Sequence, residues 1–146
     1  MLRLTESIDT PSTVDLVCID PKRVSEVWPH VKHLIRSAIE RTGLSDFLDV
    51  ERSVLRGDQL LWMAWNGLGV EAAATTHLIR VSGRKVCELT ACGGKDRMRW
   101  LPLLNDIETY AKNEGCDAMR ILGRKGWSRV LNDYHIAHVV LEKDLG

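Results

Sequence analysis

The chain has 146 residues, of which 45% are apolar. That is enough for one sizeable hydrophobic core and too little to suggest two, so we expect a single domain over residues 1–146. Twenty basic side chains balance twenty acidic ones, which excludes an overall electric field that would steer the protein onto nucleic acid or an anionic membrane.

The apolar runs of the chain are too short to cross a bilayer. Charged residues interrupt each run well before the roughly 20 apolar residues that a membrane-spanning helix needs. The first ten residues also lack the apolar core of a signal peptide. We therefore expect a cytoplasmic protein with no membrane partner.

Four cysteines, Cys18, Cys87, Cys92 and Cys116, lie far apart in the sequence, and no histidines cluster at metal-ligand spacing. The spacing favours buried free thiols over a metal site or a disulfide framework. Cys87 and Cys92 are five residues apart, which places them on opposite faces of a regular strand.

The N-terminal part predicts a strand followed by two helices. Residues 15–19 form a short apolar run that ends at Asp20 and Pro21, a pair that suits the start of a helix. Apolar residues then recur at steps of three and four from Val24 until Gly43, the mark of a helix with one buried face. Pro29 lies inside this helix and predicts either a kink or two consecutive helices. A second helix is predicted from about Ser45 to Arg56.

The remaining chain predicts a mixed sheet. Strands are predicted at 59–66, 70–81 and 85–92, and the short turns between them favour an antiparallel meander. Next come a helix from about Met98 or Leu101 to Asn113, a strand at 116–123, a short helix at 127–134 and a last strand at 138–143. The helical crossover should make the strands at 85–92 and 116–123 parallel.

This element order resembles the GNAT N-acetyltransferase fold over nearly the whole chain after residue 14. The resemblance implies an α/β domain with a mostly antiparallel sheet, one parallel strand pair and flanking helices. The C-terminal half further resembles a GNAT-like group often met in phages and prophages. The motifs that carry this resemblance are Leu61-Trp62, Gly93-Gly94, Trp100-Leu101-Pro102 and Gly123-Arg124-Lys125-Gly126-Trp127.

The resemblance implies an acetyl-CoA site at the end of the strand at 85–92. In that family a glycine-containing loop and the helix after it hold the pyrophosphate, because free N–H groups and the helix dipole attract anions. The matching residues here are Cys92, Gly93, Gly94, Lys95, Arg97, Met98 and Arg99. The alternative interpretation is a Gly-Gly turn with Asp96 as helix cap and a solvated basic cluster.

Pro102 bears on where the helix after this loop begins. If the helix starts at Asp96, Pro102 deletes an internal hydrogen bond at a cost of about 3 kcal/mol. If it starts near Leu101, Pro102 takes the favoured first position and the loop before it is longer than in the family.

Two catalytic candidates follow from the resemblance. Tyr134 lies near the place of the tyrosine that protonates the departing CoA thiolate, although the aligned position itself is Leu131. Glu88, on the strand at 85–92, is the candidate general base, because partial burial can raise a carboxyl pKa toward useful values. The alternatives are that Glu88 faces solvent and that His77, on the neighbouring strand, serves as base or as a structural residue.

Two functions from different classes remain open. The first is an acetyl-CoA-dependent N-acyltransferase that acetylates an amine on a small molecule or a protein. The second is a catalytically inactive GNAT-like phage or prophage protein, structural or accessory, that acts as an interaction module; this interpretation implies a homo-oligomer or a virion partner, with localisation in the virion. Nucleic-acid binding is disfavoured because basic residues are scattered through a neutral chain.

Overall fold

The computed structural model describes residues 13–146. One sheet holds five strands in chain order, namely β1 (Asp15–Cys18), β2 (Leu60–Trp65), β3 (Val70–Val81), β4 (Arg84–Gly94) and β5 (Ala118–Ile121). The helices are α1 (Val24–Thr42), α2 (Phe47–Arg56), α3 (Arg97–Trp100) and α4 (Leu104–Asn113). Short 3-10 helices span Pro21–Arg23, Leu101–Leu103 and Lys125–Arg129.

The sheet is mixed, as the sequence predicts. β1 to β4 pair as antiparallel neighbours, and β4 pairs with β5 in parallel from Val86↔Ala118 to Leu89↔Ile121. The chain crosses between this parallel pair through α3 and α4. The predicted fold class, a mostly antiparallel sheet with one parallel pair and flanking helices, is therefore confirmed.

α1 is one continuous helix. It runs from Val24 to Thr42 through Pro29, so of the two alternatives at Pro29 that of two consecutive helices was wrong. Pro29 lacks an N–H for the hydrogen-bond ladder and its ring displaces the carbonyl of Ser25, but both effects fall near the N-terminus of the helix and on its exposed side. The helix ends as predicted at Gly43, whose φ of 66° is the left-handed conformation that glycine adopts without strain.

The two faces of the sheet have separate cores. α1 and α2 cover one face, where Val31, Ile35 and Val54 are completely buried. α4 covers the other face, where Ile107 packs with Trp62 and Leu89. A helix layer on each side of the sheet gives each amphipathic helix an apolar surface to bury. In residues 13–146 no helix is both long and apolar enough to cross a membrane.

A β-bulge changes the side-chain pattern of β4. Thr75 pairs with Ala91 and Thr76 with Leu89, so Thr90 is an extra residue without its own partner in the register. The Thr90 hydroxyl donates a hydrogen bond to Gln59 Oε1 at 2.7 Å. Because a bulge shifts the alternation by one residue, later side chains of β4 change face.

The bulge overturns the prediction for two cysteines. Cys87 and Cys92 both pack against the core on the α4 side of the sheet, whereas a regular strand would place them on opposite faces. All four cysteines are free thiols in the structure, but Cys18 is exposed and only Cys87 is fully buried, so the prediction of buried thiols was wrong for Cys18.

The segment after β4 consists of consecutive short helices. α3 is four residues long, Pro102 sits in the following 3-10 turn, and α4 begins at Leu104. Proline fits the first positions of a helical turn because its missing N–H needs no partner there. Asp96 precedes α3 with a positive φ of 49° and makes no side-chain capping bond.

The predictions for the C-terminal part were wrong in two places. The predicted helix at 127–134 is only a 3-10 helix at Lys125–Arg129, because a single turn of helix without a strong cap is too short to stabilise itself. The predicted strand at 138–143 has an irregular, largely exposed backbone course and joins no strand of this chain's sheet.

We expect Gly93→Ala to destabilise the fold. A Cβ at Gly93 would lie 2.6 Å from the backbone oxygen of Leu34 in α1, and overpacking against backbone costs about 1–3 kcal/mol. Gly69→Ala is the matched control, since nothing lies within 4 Å of a Cβ there; its effect should stay within about 0.5 kcal/mol. Urea unfolding measures both, and equal midpoints for the two variants would contradict the close contact between β4 and α1.

Candidate functional site

A cleft opens where β4 and β5 part. Their last shared backbone bond runs from Leu122 N–H to the oxygen of Leu89, at 3.1 Å. β4 continues past this point to Gly94, while the chain after β5 turns away at Gly123 toward the 3-10 helix at Lys125–Arg129. The cleft between the end of β4 and the segment after β5 has a volume of about 250 Å³.

Two tryptophans close one side of the cleft. The ring of Trp127 packs on Gly123, where any Cβ would lie 2.7 Å from the Trp127 Cδ1 atom. Trp127 also packs against Trp100, with ring centroids 6.2 Å apart. The indole N–H of Trp100 donates to the backbone oxygen of Lys95 at 2.7 Å. This cluster therefore joins the segment after β5 to the segment after β4.

Three arginines line the cleft. Arg41 comes from the last turn of α1, Arg97 from the first residue of α3, and Arg124 from the loop after β5. No Asp or Glu side chain is among the residues that line it, and within residues 13–146 none of the three arginines forms an ion pair. The cleft is therefore a local region of positive charge, suited to an anionic ligand.

Gly93 and Gly94 lie in the strand and not in a loop. They are the last two residues of β4, and each has a close backbone neighbour where a side chain would be, α1 at Gly93 and β3 at Gly94. Both also line the cleft. Close packing alone therefore explains why both positions are glycine. The part of the cleft wall that they form is still accessible to a ligand.

The structure divides the predicted acetyl-CoA residues into two groups. Cys92, Gly93, Gly94 and Arg97 line the cleft, whereas Lys95, Met98 and Arg99 are not among its lining residues. Arg99 instead forms a two-pronged ion pair with Glu71 of β3, with both N–O distances at 2.7 Å. Its guanidinium lowers the pKa of the Glu71 carboxyl.

Cys92 is a neutral thiol at physiological pH. Burial raises its pKa to about 12, and the positive charge of Arg41 only partly opposes this shift. Since the thiolate is the reactive form of cysteine, Cys92 is a wall residue of the cleft and is unsuited to nucleophilic chemistry.

Glu88 belongs to a polar row across three strands. His77 of β3, Glu88 of β4 and Arg120 of β5 are neighbours in the strand register. His77 Nε2 lies 2.8 Å from one Glu88 oxygen, and Arg120 lies 3.6 Å from the other. Glu88 comes just before Leu89, the last residue of β4 in register with β5, and neither Glu88 nor His77 is among the residues that line the cleft.

The environment of Glu88 keeps it ionised. The hydrogen bond from His77 lowers the pKa of this carboxyl, partial burial opposes the shift, and the charges of His77 and Arg120 lower it further. The net direction is opposite to the raised pKa that the sequence led us to expect. Glu88 is also mostly covered, so the alternative of a solvent-facing carboxylate was wrong.

Comparisons with known proteins identify the fold. No protein-family model matches the sequence, and no curated protein matches it either. Solved structures do match. The chain has the GNAT acetyltransferase fold. A GNAT family acetyltransferase from Staphylococcus aureus matches 91% of this chain and 99% of its own with a TM-score of 0.60 and 11% identity.

Two further structures carry ligands. A predicted acetyltransferase from Clostridium acetobutylicum, solved with acetyl-CoA, matches 91% of this chain and 97% of its own, with a TM-score of 0.60 and 15% identity. An aminoglycoside acetyltransferase from a soil metagenomic sample, solved with sisomicin, matches 90% of this chain and 97% of its own, with a TM-score of 0.61 and 8% identity. At these identities the likeness establishes the fold alone.

Tyr134 lies away from the cleft lining of this GNAT fold. Its hydroxyl donates a 2.6 Å hydrogen bond to Glu108 of α4. Burial raises the pKa of Tyr134, and the hydrogen bond with the Glu108 carboxylate raises it further. A hydroxyl with a raised pKa gives up its proton less readily. Leu131 is not among the cleft lining residues either.

Sequence reasoning missed two of the three cleft arginines. Arg124 belongs to the Gly-Arg-Lys-Gly-Trp motif, so its place after the strand at 116–123 was a usable signal. Arg41 is about 50 residues away from Gly93 in sequence and looks like any basic residue at a helix C-terminus. Only the packing of α1 on Gly93 brings it to the cleft.

We expect Glu88→Gln to lower stability in a pH-dependent way. A carboxyl whose pKa is lowered in the folded state stabilises the fold fully above its ordinary pKa of 4.5 and loses that contribution as pH falls through the lowered value. The free energy of unfolding of the wild type should therefore be about 1–2 kcal/mol higher than that of the variant near pH 7, and this difference should shrink toward pH 3.

Urea unfolding at several pH values measures this difference. Glu26→Gln is the control, because Glu26 pairs with Arg23 in an exposed ion pair that contributes about 0–1 kcal/mol. A stability difference for Glu88→Gln that is the same at pH 3 and pH 7 would show that His77 and Arg120 do not stabilise the ionised carboxylate.

Proposed function

We propose that this protein is an acetyl-CoA-dependent N-acyltransferase whose donor substrate lies in the cleft between β4 and β5. The observation that carries the proposal is the placement of three arginines and no carboxylate around this cleft in a GNAT fold. A neutral chain has no general affinity for anions, so a local concentration of positive charge marks the place where an anionic ligand is held.

The cleft suits the parts of acetyl-CoA in different ways. Arg41, Arg97 and Arg124 are fixed positive charges for its phosphates. The volume of about 250 Å³ is below the range of about 300–1,000 Å³ that is usual for small-molecule sites, so the cleft suits a narrow arm better than a whole nucleotide. α3 is only four residues long, so arginine side chains contribute more to anion binding here than a helix dipole does.

The backbone of β4 offers a second kind of contact. Past Leu89 the strand no longer pairs with β5, so the edge of β4 that faces the cleft has polar groups that need other partners. The pantetheine arm of CoA contains two amide groups, which are natural partners for a strand edge. Acetyl-CoA supplies an activated thioester to the reaction; the residues of this chain bind and orient it.

Neither Glu88 nor His77 lines the donor cleft, but Glu88 lies one residue before β4 parts from β5, so we assign proton removal from the acceptor amine to this pair. Glu88 is ionised and accepts a hydrogen bond from His77 Nε2, which leaves Nδ1 of the imidazole as the proton-accepting nitrogen. Glu88 thus serves as the positioning carboxylate, or as the base itself where the amine reaches it directly. A dedicated acid is not required, because a thiol with a pKa of about 8.5 leaves readily as a thiolate.

The acceptor is an amine on a small molecule or a protein. The metagenomic neighbour solved with sisomicin suggests aminoglycosides as a first class to screen. Free thiols at Cys18, Cys87, Cys92 and Cys116 are consistent with action in a reducing compartment such as the cytoplasm.

An inactive GNAT-like interaction module, such as a phage accessory or virion protein, is the second candidate. Two observations favour it: leucine occupies the aligned tyrosine position at Leu131, and Tyr134 is held by Glu108 away from the cleft lining. This candidate predicts a folded protein that neither binds acetyl-CoA nor consumes it.

Titration calorimetry with acetyl-CoA tests the donor site. We expect micromolar binding, and a loss of about 5- to 20-fold in affinity for each of Arg41→Ala, Arg97→Ala and Arg124→Ala, because each removes one charge-assisted contact to phosphate. S-acetylpantetheine has no pyrophosphate, so its affinity should not change in these variants.

Arg52→Ala is the matched control for the arginine variants. Arg52 pairs with Asp49 on the exposed surface of α2 and does not line the cleft, so acetyl-CoA affinity should stay unchanged. Folded wild-type protein without detectable binding would reject the enzyme proposal and favour the interaction module.

Steady-state release of CoA thiol with a panel of primary amines tests the proton-transfer pair. We expect Glu88→Gln and His77→Asn each to lower kcat by about 10²- to 10⁴-fold without changing acetyl-CoA affinity. The pH profile of kcat/KM should lose its lower limb in His77→Asn. A normal profile in that variant would remove His77 from the mechanism.

A further inference from the structure

The short helix α3 does not fix its own position. It is four residues long, and Asp96 at its start has a positive φ of 49° and makes no side-chain capping bond. A residue with a Cβ is disfavoured in this conformation, and one turn of helix does not stabilise itself. Contacts with other segments must therefore fix α3, and with it Arg97, whose side chain lines the cleft.

Glu71 of β3 provides such contacts on both sides of Arg97. Its carboxylate accepts hydrogen bonds from Nε and Nη2 of Arg99, both at 2.7 Å. Its backbone oxygen accepts a bond from the N–H of Lys95 at 3.1 Å. Lys95 and Arg99 lie two residues before and two residues after Arg97. Because two parallel bonds fix the orientation of a guanidinium as well as its distance, Glu71 holds the segment that carries Arg97.

Glu71 is itself fixed by the turn between β2 and β3. The side-chain amide of Asn66 donates to Glu71 Oε2 at 2.8 Å, and Asn66 Oδ1 accepts bonds from the backbone N–H groups of Leu68 and Gly69. Only 14% of the Glu71 side chain is exposed. The hydrogen bond from Arg99 lowers the pKa of the Glu71 carboxyl, so the ion pair is charged at neutral pH.

The sheet fixes the backbone of Glu71 as well. Ala72, the next residue of β3, pairs with Gly94 in the strand register. Any Cβ at Gly94 would collide with the backbone oxygen of Glu71, so glycine allows the end of β4 to come close to this residue. The anchor of α3 therefore belongs to a paired strand and not to a loop.

Two tryptophans also contact this segment. The Trp100 indole N–H donates to the backbone oxygen of Lys95 at 2.7 Å, and the Arg97 guanidinium lies 5.8 Å from the centre of the Trp127 ring. Both rings line the cleft themselves, whereas Glu71 does not. A change at Glu71 can therefore alter the position of Arg97 without removing a contact to the ligand.

We propose that Glu71 is a positioning residue of the donor site, because it holds Lys95 and Arg99 and so keeps Arg97 in place for a phosphate group of the donor. The inference rests on the proposed function and adds to it a residue outside the cleft. A preorganised arginine binds its ligand without a further loss of conformational freedom. When the anchor is lost, the segment around α3 must be ordered as the ligand binds, and affinity falls.

Neutralisation of Arg99 is a competing effect of the same ion pair. Glu71→Gln removes a negative charge beside Arg99, which would raise the affinity for anions if this guanidinium faced the cleft. Residues two apart on a helix do not face the same side, and Arg99 is not among the residues that line the cleft. Positioning therefore predicts a loss of affinity in Glu71→Gln, whereas neutralisation predicts a gain.

Titration calorimetry of the wild type and Glu71→Gln, with acetyl-CoA and with inorganic pyrophosphate, tests the proposal. Glutamine keeps the length of the side chain but has one acceptor oxygen in place of two, so the two-pronged bond is lost. We expect about 3- to 10-fold weaker binding of both ligands. The affinity of S-acetylpantetheine, which has no pyrophosphate, should not change.

The double variant of Glu71→Gln with Arg97→Ala separates positioning from a general weakening of the fold. If Glu71 acts through Arg97, its substitution should have no further effect once Arg97 is alanine, whereas independent effects add. Additive losses would therefore overturn the proposal. Arg99→Lys is a milder second variant, because lysine keeps the charge but not the two-pronged geometry; it should show a smaller loss of the same kind.

Glu26→Gln is the matched control. Glu26 pairs with Arg23 in an exposed ion pair and does not line the cleft, so the affinity for both ligands should stay unchanged. Far-UV circular dichroism confirms that each variant is folded. In the ligand-free protein, the amides of Lys95 and Arg99 should exchange faster in Glu71→Gln than in the control, and equal exchange would contradict the anchor.

The outcomes separate this inference from the proposed function. A wild type that binds acetyl-CoA, with equal or tighter binding in Glu71→Gln, overturns the positioning role and leaves the acyltransferase proposal intact. Binding of pyrophosphate alone, weakened by Glu71→Gln, supports the positioning role and rejects acetyl-CoA as the ligand. A folded wild type that binds neither overturns both.

Discussion

The parting of β4 from β5 after Leu89 is the constraint on which the rest of the site depends. Parallel strands normally stay paired because each buried N–H and C=O needs a partner. Here the ladder stops after four register pairs, while β4 runs on for five more residues. The polar edge left behind faces a cleft with positive side chains, so a ligand with hydrogen-bonding and anionic groups can satisfy both.

Packing on both sides holds the cleft open. Gly93 lets α1 approach β4 so closely that no side chain would fit between them, and this approach brings Arg41 to the cleft. On the other side Trp127 packs on Gly123 and Trp100, which turns the chain away from β4. Tight contacts in its walls thus form the cleft. Gly93 and Gly123 make these contacts possible, because a side chain at either position would keep α1 or Trp127 away.

The sequence predicted the fold better than the site, for a physical reason. Strand alternation, helical periodicity and turn residues are local signals, so the meander, α1 and the parallel pair followed from them. The bulge at Thr90 is not visible in composition, yet it moved Cys92 to the other face of the sheet. Residues 138–143 have strand-like side chains but pair with no strand within residues 13–146, and a strand is stable only when paired.

Side-chain pairing explains how a neutral chain can have a positively charged cleft. The chain is neutral overall. Several arginines are neutralised locally, Arg23 by Glu26, Arg52 by Asp49, Arg56 by Asp58 and Arg99 by Glu71. In residues 13–146 the cleft arginines form no ion pair with a carboxylate.

Coulomb energies fall with distance and are screened over roughly 10 Å in salt, so a ligand responds to the charges nearest to it and hardly to the total. A neutral protein can therefore present a strongly positive cleft, provided that its other cations are paired where they stand. Arg99 illustrates the point: it lies in the same short helix as Arg97, but its two-pronged bond with Glu71 removes its charge from the field that a ligand in the cleft would meet.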